Sequence, residues 1–280
     1  MQVAVLWFLE EVSVLKVRIK FSKAGSMKFI GHLDVMRYFQ KAIRRSGLDI
    51  AYSQGFNPHQ LISFAAPLGV GLTSDGEYMD MQMNTTFSTR EAMQRLNQTM
   101  NSEIKVTNYV ELEEDSKNAM SIVAAADYLV SVKDGYAFPD NYQQLFVDFL
   151  TQKQIIMTKK TKKSEKEVDI KPYIYQVAFT GKEFSEKIGR SVENTVAQEY
   201  ENGKKIYLQL TTGSVINIKP ELVIEAFCKF AGIVYEPFAY QLHRLELYAD
   251  INANPKADKE EYIKNRKLVT LDSFGHVIEG

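Results

Sequence analysis

The sequence predicts an α+β protein that consists of two domains of the same design in tandem, and three observations lead to this prediction. Between residues 16 and 112, apolar residues recur with the spacing of a strand, helix, strand, strand, helix and strand. A similar series follows the acidic stretch at 111–118 and runs to residue 250. At 280 residues, 45% of them hydrophobic, the chain is long enough to bury two cores. Because βαββαβ is the order of the ferredoxin-like fold, we expect two ferredoxin-like domains.

The first domain is expected to begin with a strand and a long helix. Residues 17–21 alternate between apolar and polar side chains, as a half-buried strand does. In residues 30–43 apolar side chains return every three or four positions, which predicts an amphipathic helix, and Gly47 is suited to end it. The opposite face of this helix carries five charged residues, which are Asp34, Arg37, Lys41, Arg44 and Arg45.

The remaining elements of the first domain follow in the expected order. Residues 48–67 form an extended segment that turn-forming residues interrupt at 54–58. Alternation at 77–83 predicts a strand, and Ser88 with Glu91 forms a capping box at the start of a second helix. A last strand is expected at 104–112.

The second domain shows the same kinds of pattern. We expect helices at 140–151 and from Pro220 onward, because proline is favoured in the first turn of a helix. Strands are expected at 128–132, at 155–158 and 173–179 as a hairpin, at 206–210 and at 245–248. The predicted domains span residues 16–115 and 121–250, and residues 251–280 are expected to be a polar tail.

Residues 1–15 are expected to be a translated leader or a disordered extension. The apolar run at 3–9 is short, lacks a basic flank and continues into Glu10 and Glu11, which argues against a signal peptide or a membrane span. The alternative is a genuine N-terminal strand or an arm that binds a partner. We expect a cytoplasmic protein with no membrane association.

Positive charge is concentrated early in the chain. Residues 16–60 hold nine Lys or Arg and two Asp, a net charge of +7, whereas the whole chain carries −1, so the remainder carries −8. This asymmetry predicts an anionic partner, for which RNA is the best candidate. The alternative is a solvated helix face with no partner. The basic residues predicted to bind RNA are Lys23, Lys28, Arg37, Lys41, Arg44 and Arg45.

The segment at 54–59 has side chains suited to reading an unpaired base. It supplies an aromatic ring, two amides and an imidazole on a backbone restricted by glycine and proline. The alternative is a structural turn with Phe56 inserted into the core. The residues of this segment predicted to bind RNA are Gln54, Phe56, Asn57 and His59.

Three further residues, His32, Asp34 and Glu77, are candidate functional residues. A histidine near a helix N-terminus can receive a phosphate or act as a general acid or base, although most such histidines are structural. Glu77 is expected to form a buried salt bridge with an arginine of the basic helix. The single cysteine, Cys228, lies in an apolar helical stretch and is interpreted as a core residue. No catalytic residue, metal site or cofactor is predicted.

Several motifs occur in order between residues 21 and 80. They include Gly-His-Leu-Asp at 31–34, Tyr-Ser-Gln-Gly-Phe-Asn-Pro-His at 52–59 and Ser-Asp-Gly-Glu-Tyr-Met-Asp at 74–80. With these motifs the chain resembles, over roughly residues 16–250, the radical-SAM-linked proteins, a bacterial family of unknown function. Members are found beside, or fused to, cobalamin-binding radical SAM proteins, so the resemblance implies a radical SAM protein as partner. A cluster of the radical SAM type needs about three cysteines, so this chain is not itself the radical enzyme.

Three functions follow from these observations. The favoured function is that of a noncatalytic adaptor that binds transfer or ribosomal RNA and presents it to a radical SAM enzyme. The second is a metal-independent endoribonuclease that uses His32, because tandem ferredoxin-like domains with an isolated histidine resemble the CRISPR repeat-processing endoribonucleases. The third is a protein-docking module that binds a radical SAM partner and contacts no nucleic acid.

Overall fold

A computed structural model of the chain describes residues 14–160, 165–192, 195–213, 216–253 and 265–280. Within these residues the chain forms a mixed α+β fold with a ten-stranded, mostly antiparallel sheet, a separate two-stranded sheet and six helices. Residues 1–13, which make up most of the expected leader, lie outside the described residues. No helix in the described part has the length and apolar character needed to span a bilayer.

The first half of the chain supplies four strands and two helices in the predicted order. They are β1 (Leu15–Lys23), α1 (His32–Ser46), β2 (Ile62–Phe64), β3 (Thr73–Met83), α2 (Thr89–Gln98) and β4 (Ile104–Leu112). In the sheet β1 lies between β4 and β3, β2 pairs with β3, and all these pairings are antiparallel. The predicted helix caps are confirmed. Gly47 ends α1 with a φ of 72°, and the Ser88 side chain accepts a hydrogen bond from the Glu91 amide at the start of α2.

The second half contributes further strands to the same sheet, together with helices and a separate hairpin. Its elements are α3 (Ala119–Ile122), β5 (Val123–Val132), α4 (Tyr142–Thr151), β6 (Ile156–Lys160), β7 (Glu165–Asp169), β8 (Ile174–Ala178), α5 (Gly181–Ile188), β9 (Lys205–Thr211), α6 (Pro220–Ala231) and β10 (Tyr240–Asp250). The main sheet here runs in the order β10, β5, β9 and β8, with antiparallel neighbours. Cys228 of α6 is fully buried, as its apolar surroundings predict.

The predicted hairpin between 155–158 and 173–179 is wrong. β6 pairs with β7 in the separate two-stranded sheet, and β8 pairs with β9 in the main sheet. The sequence of β7, Glu-Lys-Glu-Val-Asp, has little apolar alternation, and its first three residues are exposed. Its pairing rests on backbone hydrogen bonds with β6, which an apolar pattern does not detect.

The two halves share one sheet because β3 and β10 run side by side in parallel. Their register pairs Thr73 with His243 and Ser74 with Arg244. Gly76 of β3 faces β10 closely, and a Cβ atom at this position would be 2.7 Å from the Glu246 Cα atom. Glycine is therefore required here for steric reasons.

The segment expected to be a polar tail contributes strands to both halves. β11 (Leu268–Thr270) pairs with β10, and β12 (Gly275–His276) pairs with β4. Between them Leu271 is fully buried, and its carbonyl oxygen accepts a hydrogen bond from Arg18 at 2.8 Å. These contacts connect the C-terminal segment to the first strand of the fold.

Candidate nucleic-acid interface

The charged face of α1 is exposed because the helix packs against the sheet with most of its apolar face. Val35, Phe39 and Ile43 are buried against the sheet, where the rings of Phe21, Phe39 and Phe64 pack edge to face with centroids 4.7 to 6.0 Å apart. Four cationic residues of α1 are exposed, which are Arg37, Lys41, Arg44 and Arg45, and we call the first three the α1 basic face. Lys41 and Arg44 form no ion pair with any described residue.

Two of the predicted cations on α1 also contact other residues of the protein. Arg37 lies 3.3 Å from Asp34, but both side chains are more than 60% exposed, so this pair contributes little to stability. Arg45 donates a hydrogen bond to the Thr99 carbonyl oxygen at 3.0 Å and so connects α1 to the end of α2. Arg45 therefore has a structural role at the end of α1.

The segment at 54–58 forms the exposed tip of a closed loop. At its base, the Ser53 amide donates to the His59 carbonyl oxygen at 2.9 Å, and the Ser53 hydroxyl lies 2.8 Å from His59 Nδ1. Gly55 has a φ of 109°, a backbone conformation that residues with a Cβ atom rarely adopt. Gln54 and Asn57 are exposed beside it. We call residues 54–58 the loop tip.

Phe56 is fully exposed at the loop tip, with a relative accessibility of 106%. The alternative in which this ring fills the core is therefore wrong. Burying a phenylalanine side chain yields about 1.5–3 kcal/mol, and the free protein does not gain this energy. An exposed ring on a closed loop is available to stack on a base or to enter a partner's pocket.

The base of the loop is joined to α1 through Gln60. Gln60 is buried and donates a hydrogen bond to the Gln40 carbonyl oxygen of α1 at 3.2 Å. Tyr52 and Gln60 also form an isolated bridge that closes the loop. Gln40 directly precedes Lys41 and lies one turn before Arg44, so this hydrogen bond connects the loop to the part of α1 that carries these two cations.

The positive charge that the sequence concentrates at residues 16–60 is partly internal. Arg18 is fully buried and forms a bidentate pair with Asp80 at 2.7 and 3.0 Å, and Lys20 pairs with Glu246 at 2.5 Å. Lys23 is only 1% exposed, and burial lowers its pKa, although the Glu77 carboxylate acts in the opposite direction. Lys23 is therefore not placed to contact RNA at the surface.

Lys28 lies at the junction of the two halves. Its ammonium donates to the Gln241 side-chain oxygen at 3.1 Å and lies 5.3 Å from the Phe29 ring centroid. It is half-buried, and Phe29 and Leu33 next to it are 68% and 61% exposed. Lys28 is therefore on the edge of the predicted surface, in a more apolar environment than the α1 basic face.

His32 is the first residue of α1 and is half-buried. Its ring packs edge-on against Phe64 with a centroid distance of 5.1 Å. Asp34 is directed to solvent and pairs with Arg37. The ring contact gives His32 a packing role, and a catalytic role for it remains a prediction.

Glu77 forms the expected buried salt bridge, but with a different partner. Its two carboxylate oxygens accept hydrogen bonds from Arg244 Nη1 of β10 at 3.1 and 3.0 Å, and both residues are buried. The expected pairing with an arginine of α1 is wrong because Glu77 lies on β3 where this strand meets β10. Burial raises the pKa of Glu77, and the Arg244 guanidinium opposes this shift.

Sequence reasoning missed a polar network on β5, β10 and the segments around them. The Tyr248 hydroxyl donates to Asp127 at 2.5 Å, Arg190 lies 3.4 Å from the same carboxylate, and the Tyr78 hydroxyl donates to Glu246 at 2.8 Å. Burial raises the pKa of Asp127 to about 6, although the hydrogen bond from Tyr248 opposes the shift. The signal was the group of charged residues within the otherwise strand-like sequence 240–250.

Comparisons with known proteins identify the family of the chain but no activity. No curated protein matches it. A crystal structure of an unknown protein from Galdieria sulphuraria covers 83% of this chain and 98% of its own, with 7% identity and a TM-score of 0.23, which is too low to support an inference. A family model described as an uncharacterized protein conserved in bacteria (DUF2344) matches residues 16–220, well over half of the chain. The chain therefore belongs to this family of uncharacterized bacterial proteins.

Proposed function

We propose that the protein binds single-stranded RNA through the α1 basic face and the loop tip. The observation that carries the proposal is the fully exposed Phe56 ring on a loop that is hydrogen-bonded to α1, the helix on which Lys41 and Arg44 have no ion-pair partner among the described residues. Proteins that bind single strands combine cations along the phosphate backbone with aromatic rings that stack on bases. Gln54 and Asn57 add amide groups that can form hydrogen bonds with base edges.

We further propose that binding is noncatalytic and serves a radical SAM enzyme in RNA modification or processing in the cytoplasm. The partner follows from the sequence resemblance to radical-SAM-linked proteins. Cys228 is buried within α6, so this chain has no exposed cysteine with which to hold a cluster for that chemistry. An adaptor role assigns the chemistry to the partner and the recognition of RNA to this chain.

At the level of the fold, we propose that each half is a ferredoxin-like unit. The order β4, β1, β3, β2 in the first half is matched by β10, β5, β9, β8 in the second half. In this interpretation the β6–β7 hairpin is an insertion in the second unit. An experimental structure would test the assignment.

The proposed function is tested by the salt dependence of RNA binding. If Arg37, Lys41 and Arg44 each contact a phosphate of single-stranded RNA, raising the salt from about 50 to about 200 mM should lower the affinity by about 20-fold. Each contact contributes about 0.7 to the slope of log affinity against log salt concentration. In the Lys41→Ala/Arg44→Ala variant the line should be shallower, with a slope smaller in magnitude by about 1.4. Binding is measured by fluorescence anisotropy with a labelled single-stranded oligonucleotide.

The matched control is Lys182→Ala/Lys229→Ala, which removes two exposed cations from α5 and α6. This variant should keep the wild-type affinity and slope. Equal losses in the two double variants would show nonspecific attraction to positive charge and would refute the proposed surface. If RNA does not bind at low salt, and a nuclease-resistant complex with a radical SAM protein forms, the protein-docking function replaces this proposal.

A further inference from the structure

A second group of exposed aromatic rings and cations lies where the two halves of the molecule meet. Phe29, in the turn that leads into α1, is 68% exposed, and Phe238, in the turn that leads into β10, is 79% exposed. A lysine contacts each of them. Lys28 Nζ lies 5.3 Å from the Phe29 ring centroid, and Lys133 Nζ donates a hydrogen bond to the Phe238 carbonyl oxygen at 3.0 Å. We call Lys28, Phe29, Lys133 and Phe238 the junction cluster.

Hydrogen bonds connect the two parts of the junction cluster. The Gln241 side-chain oxygen accepts a hydrogen bond from Lys28 at 3.1 Å, and the Lys133 amide donates to the Ala239 carbonyl oxygen at 2.8 Å. Ala239 directly precedes β10 and Gln241 is its second residue, so the two are within about 7 Å along the chain. The two lysines are therefore neighbours. In agreement, the charge of Lys28 adds to burial in lowering the pKa of Lys133.

The two lysines of the junction cluster are not neutralised by carboxylates. Both are half-buried, and neither forms an ion pair with a residue that the structure describes. Asp134 is next to Lys133 in the chain, but its carboxylate accepts hydrogen bonds from the amides of Glu201 and Asn202. A phosphate close to both ammonium groups would offset their mutual repulsion.

Positive charge also predominates when the charges of the segments around the cluster are counted together. Residues 28–45, 133–134 and 236–241 carry six cations, which are Lys28, Arg37, Lys41, Arg44, Arg45 and Lys133. The same segments carry three carboxylates, which are Asp34, Asp134 and Glu236. Glu103 adds a fourth, since it accepts a hydrogen bond from Ser26. The cations therefore remain in excess.

The junction cluster continues the α1 basic face. Leu33, Arg37, Lys41 and Arg44 follow one another at intervals of four, four and three residues, so they form one exposed row along α1. The row is about 16 Å long, because a helix rises about 1.5 Å per residue. Phe29 is four residues before Leu33 and therefore lies within about 14 Å of this end of the row.

We propose that a single RNA strand bound on the α1 basic face extends past Leu33 to the junction cluster. There Phe29 and Phe238 stack on bases, and Lys28 and Lys133 contact phosphates. The proposal rests on the proposed RNA-binding function and adds a second contact region to it. The chemistry is the same as at the loop tip, because exposed rings combined with cations bind single strands with little dependence on sequence.

The test is the dependence of affinity on strand length. Labelled oligouridylates of about 4 to about 16 nucleotides, the range of sizes of single-strand sites, are titrated into the full-length protein and followed by fluorescence anisotropy. The shortest strands should occupy the α1 basic face and the loop tip, and longer strands should also reach the junction cluster. The Phe29→Ala/Phe238→Ala variant should therefore bind the shortest strands as the wild type does. It should bind the longest strands about fivefold or more weakly.

The Lys28→Gln/Lys133→Gln variant tests the phosphate contacts. With the longest strand, the slope of log affinity against log salt concentration should be smaller in magnitude by about 1.4 than in the wild type, and with the shortest strand it should be unchanged. The control is Phe274→Ala/Val277→Ala, which removes two exposed apolar side chains next to β12. This control should bind strands of every length as the wild type does. A thermal melt shows that each variant is folded.

Two outcomes would overturn the extension to the junction cluster and leave the proposed function standing. The first is wild-type affinity of Phe29→Ala/Phe238→Ala at every length, which would assign the exposed rings to a protein partner. The second is an equal loss in the control, which would show that the effect does not depend on position. In both cases Phe56→Ala still tests the proposed function, because its effect should be present at every length. If the wild type binds no strand of any length at low salt, both proposals are wrong.

Discussion

Replacing Phe56 with alanine should weaken RNA binding without changing the stability of the protein. The ring is fully exposed, so the substitution removes no packing contact within the fold. The free energy of unfolding should therefore change by less than about 0.5 kcal/mol, as for other exposed positions. Gly55 and the Ser53–His59 closure remain, so the loop keeps its shape.

The effect of Phe56→Ala on RNA binding should be much larger. Stacking of one base on an aromatic side chain contributes about 1–3 kcal/mol, which corresponds to a loss of about 5- to 150-fold in affinity. Because the bases of a duplex are already stacked on each other, binding of double-stranded RNA should change little. The assay is fluorescence anisotropy with a single-stranded oligonucleotide and its duplex, beside a thermal melt of each variant.

Two companion variants distinguish stacking from a general apolar contact. Phe56→Tyr keeps the aromatic face and should bind single strands as the wild type does, whereas Phe56→Leu keeps only apolar volume and should be as weak as Phe56→Ala. Wild-type affinity in Phe56→Ala would refute the stacking role. Full affinity in Phe56→Leu would also refute it, and would indicate a general apolar contact with the RNA.

Three further predictions concern the buried charges and the histidine. Burial raises the pKa of Asp127 to about 6, above its value in the unfolded chain, so its contribution to stability should fall as the pH rises from about 4 to about 6. The difference in melting temperature between wild type and Asp127→Asn should decline over that range, and a constant difference would contradict the assignment. Arg244→Met leaves Glu77 charged without its main partner and should lower the free energy of unfolding by about 3–5 kcal/mol in urea titrations, whereas adding Glu77→Gln should restore part of the loss. His32→Ala and the wild type should both leave bound RNA uncleaved on denaturing gels, and cleavage by the wild type alone would support the endoribonuclease.

The local structure was largely predictable from short stretches of sequence. The limits of β4 and the end of α1 at Gly47 agree with the predictions, because periodicity and capping depend on residues within a few positions of each other. The exposed cations Lys41 and Arg44 were also identified correctly as surface residues of a helix. Phe56 was ambiguous, since a Gly and Pro turn fixes a loop without determining where its side chains point.

The fate of the charges on β1 was not predictable in this way. Arg18 pairs with Asp80, which is 62 positions away, and Lys20 pairs with Glu246, which is 226 positions away. Neither partner can be recognised from a local pattern. The net charge of +7 at residues 16–60 therefore overstated the positive charge that reaches the surface.

The sequence by itself determined the order of helices and strands in the first half, where α1 ends, and that one helix face is basic. The tertiary structure alone decided that β3 and β10 join the two halves in one sheet, that Glu77 pairs with Arg244, and that Thr212 and Arg244 line a cleft between the halves. The physical reason is the range of the interactions. Helix and strand patterns arise from neighbouring residues, whereas ion pairs, sheet junctions and clefts depend on which distant segments the complete fold brings into contact.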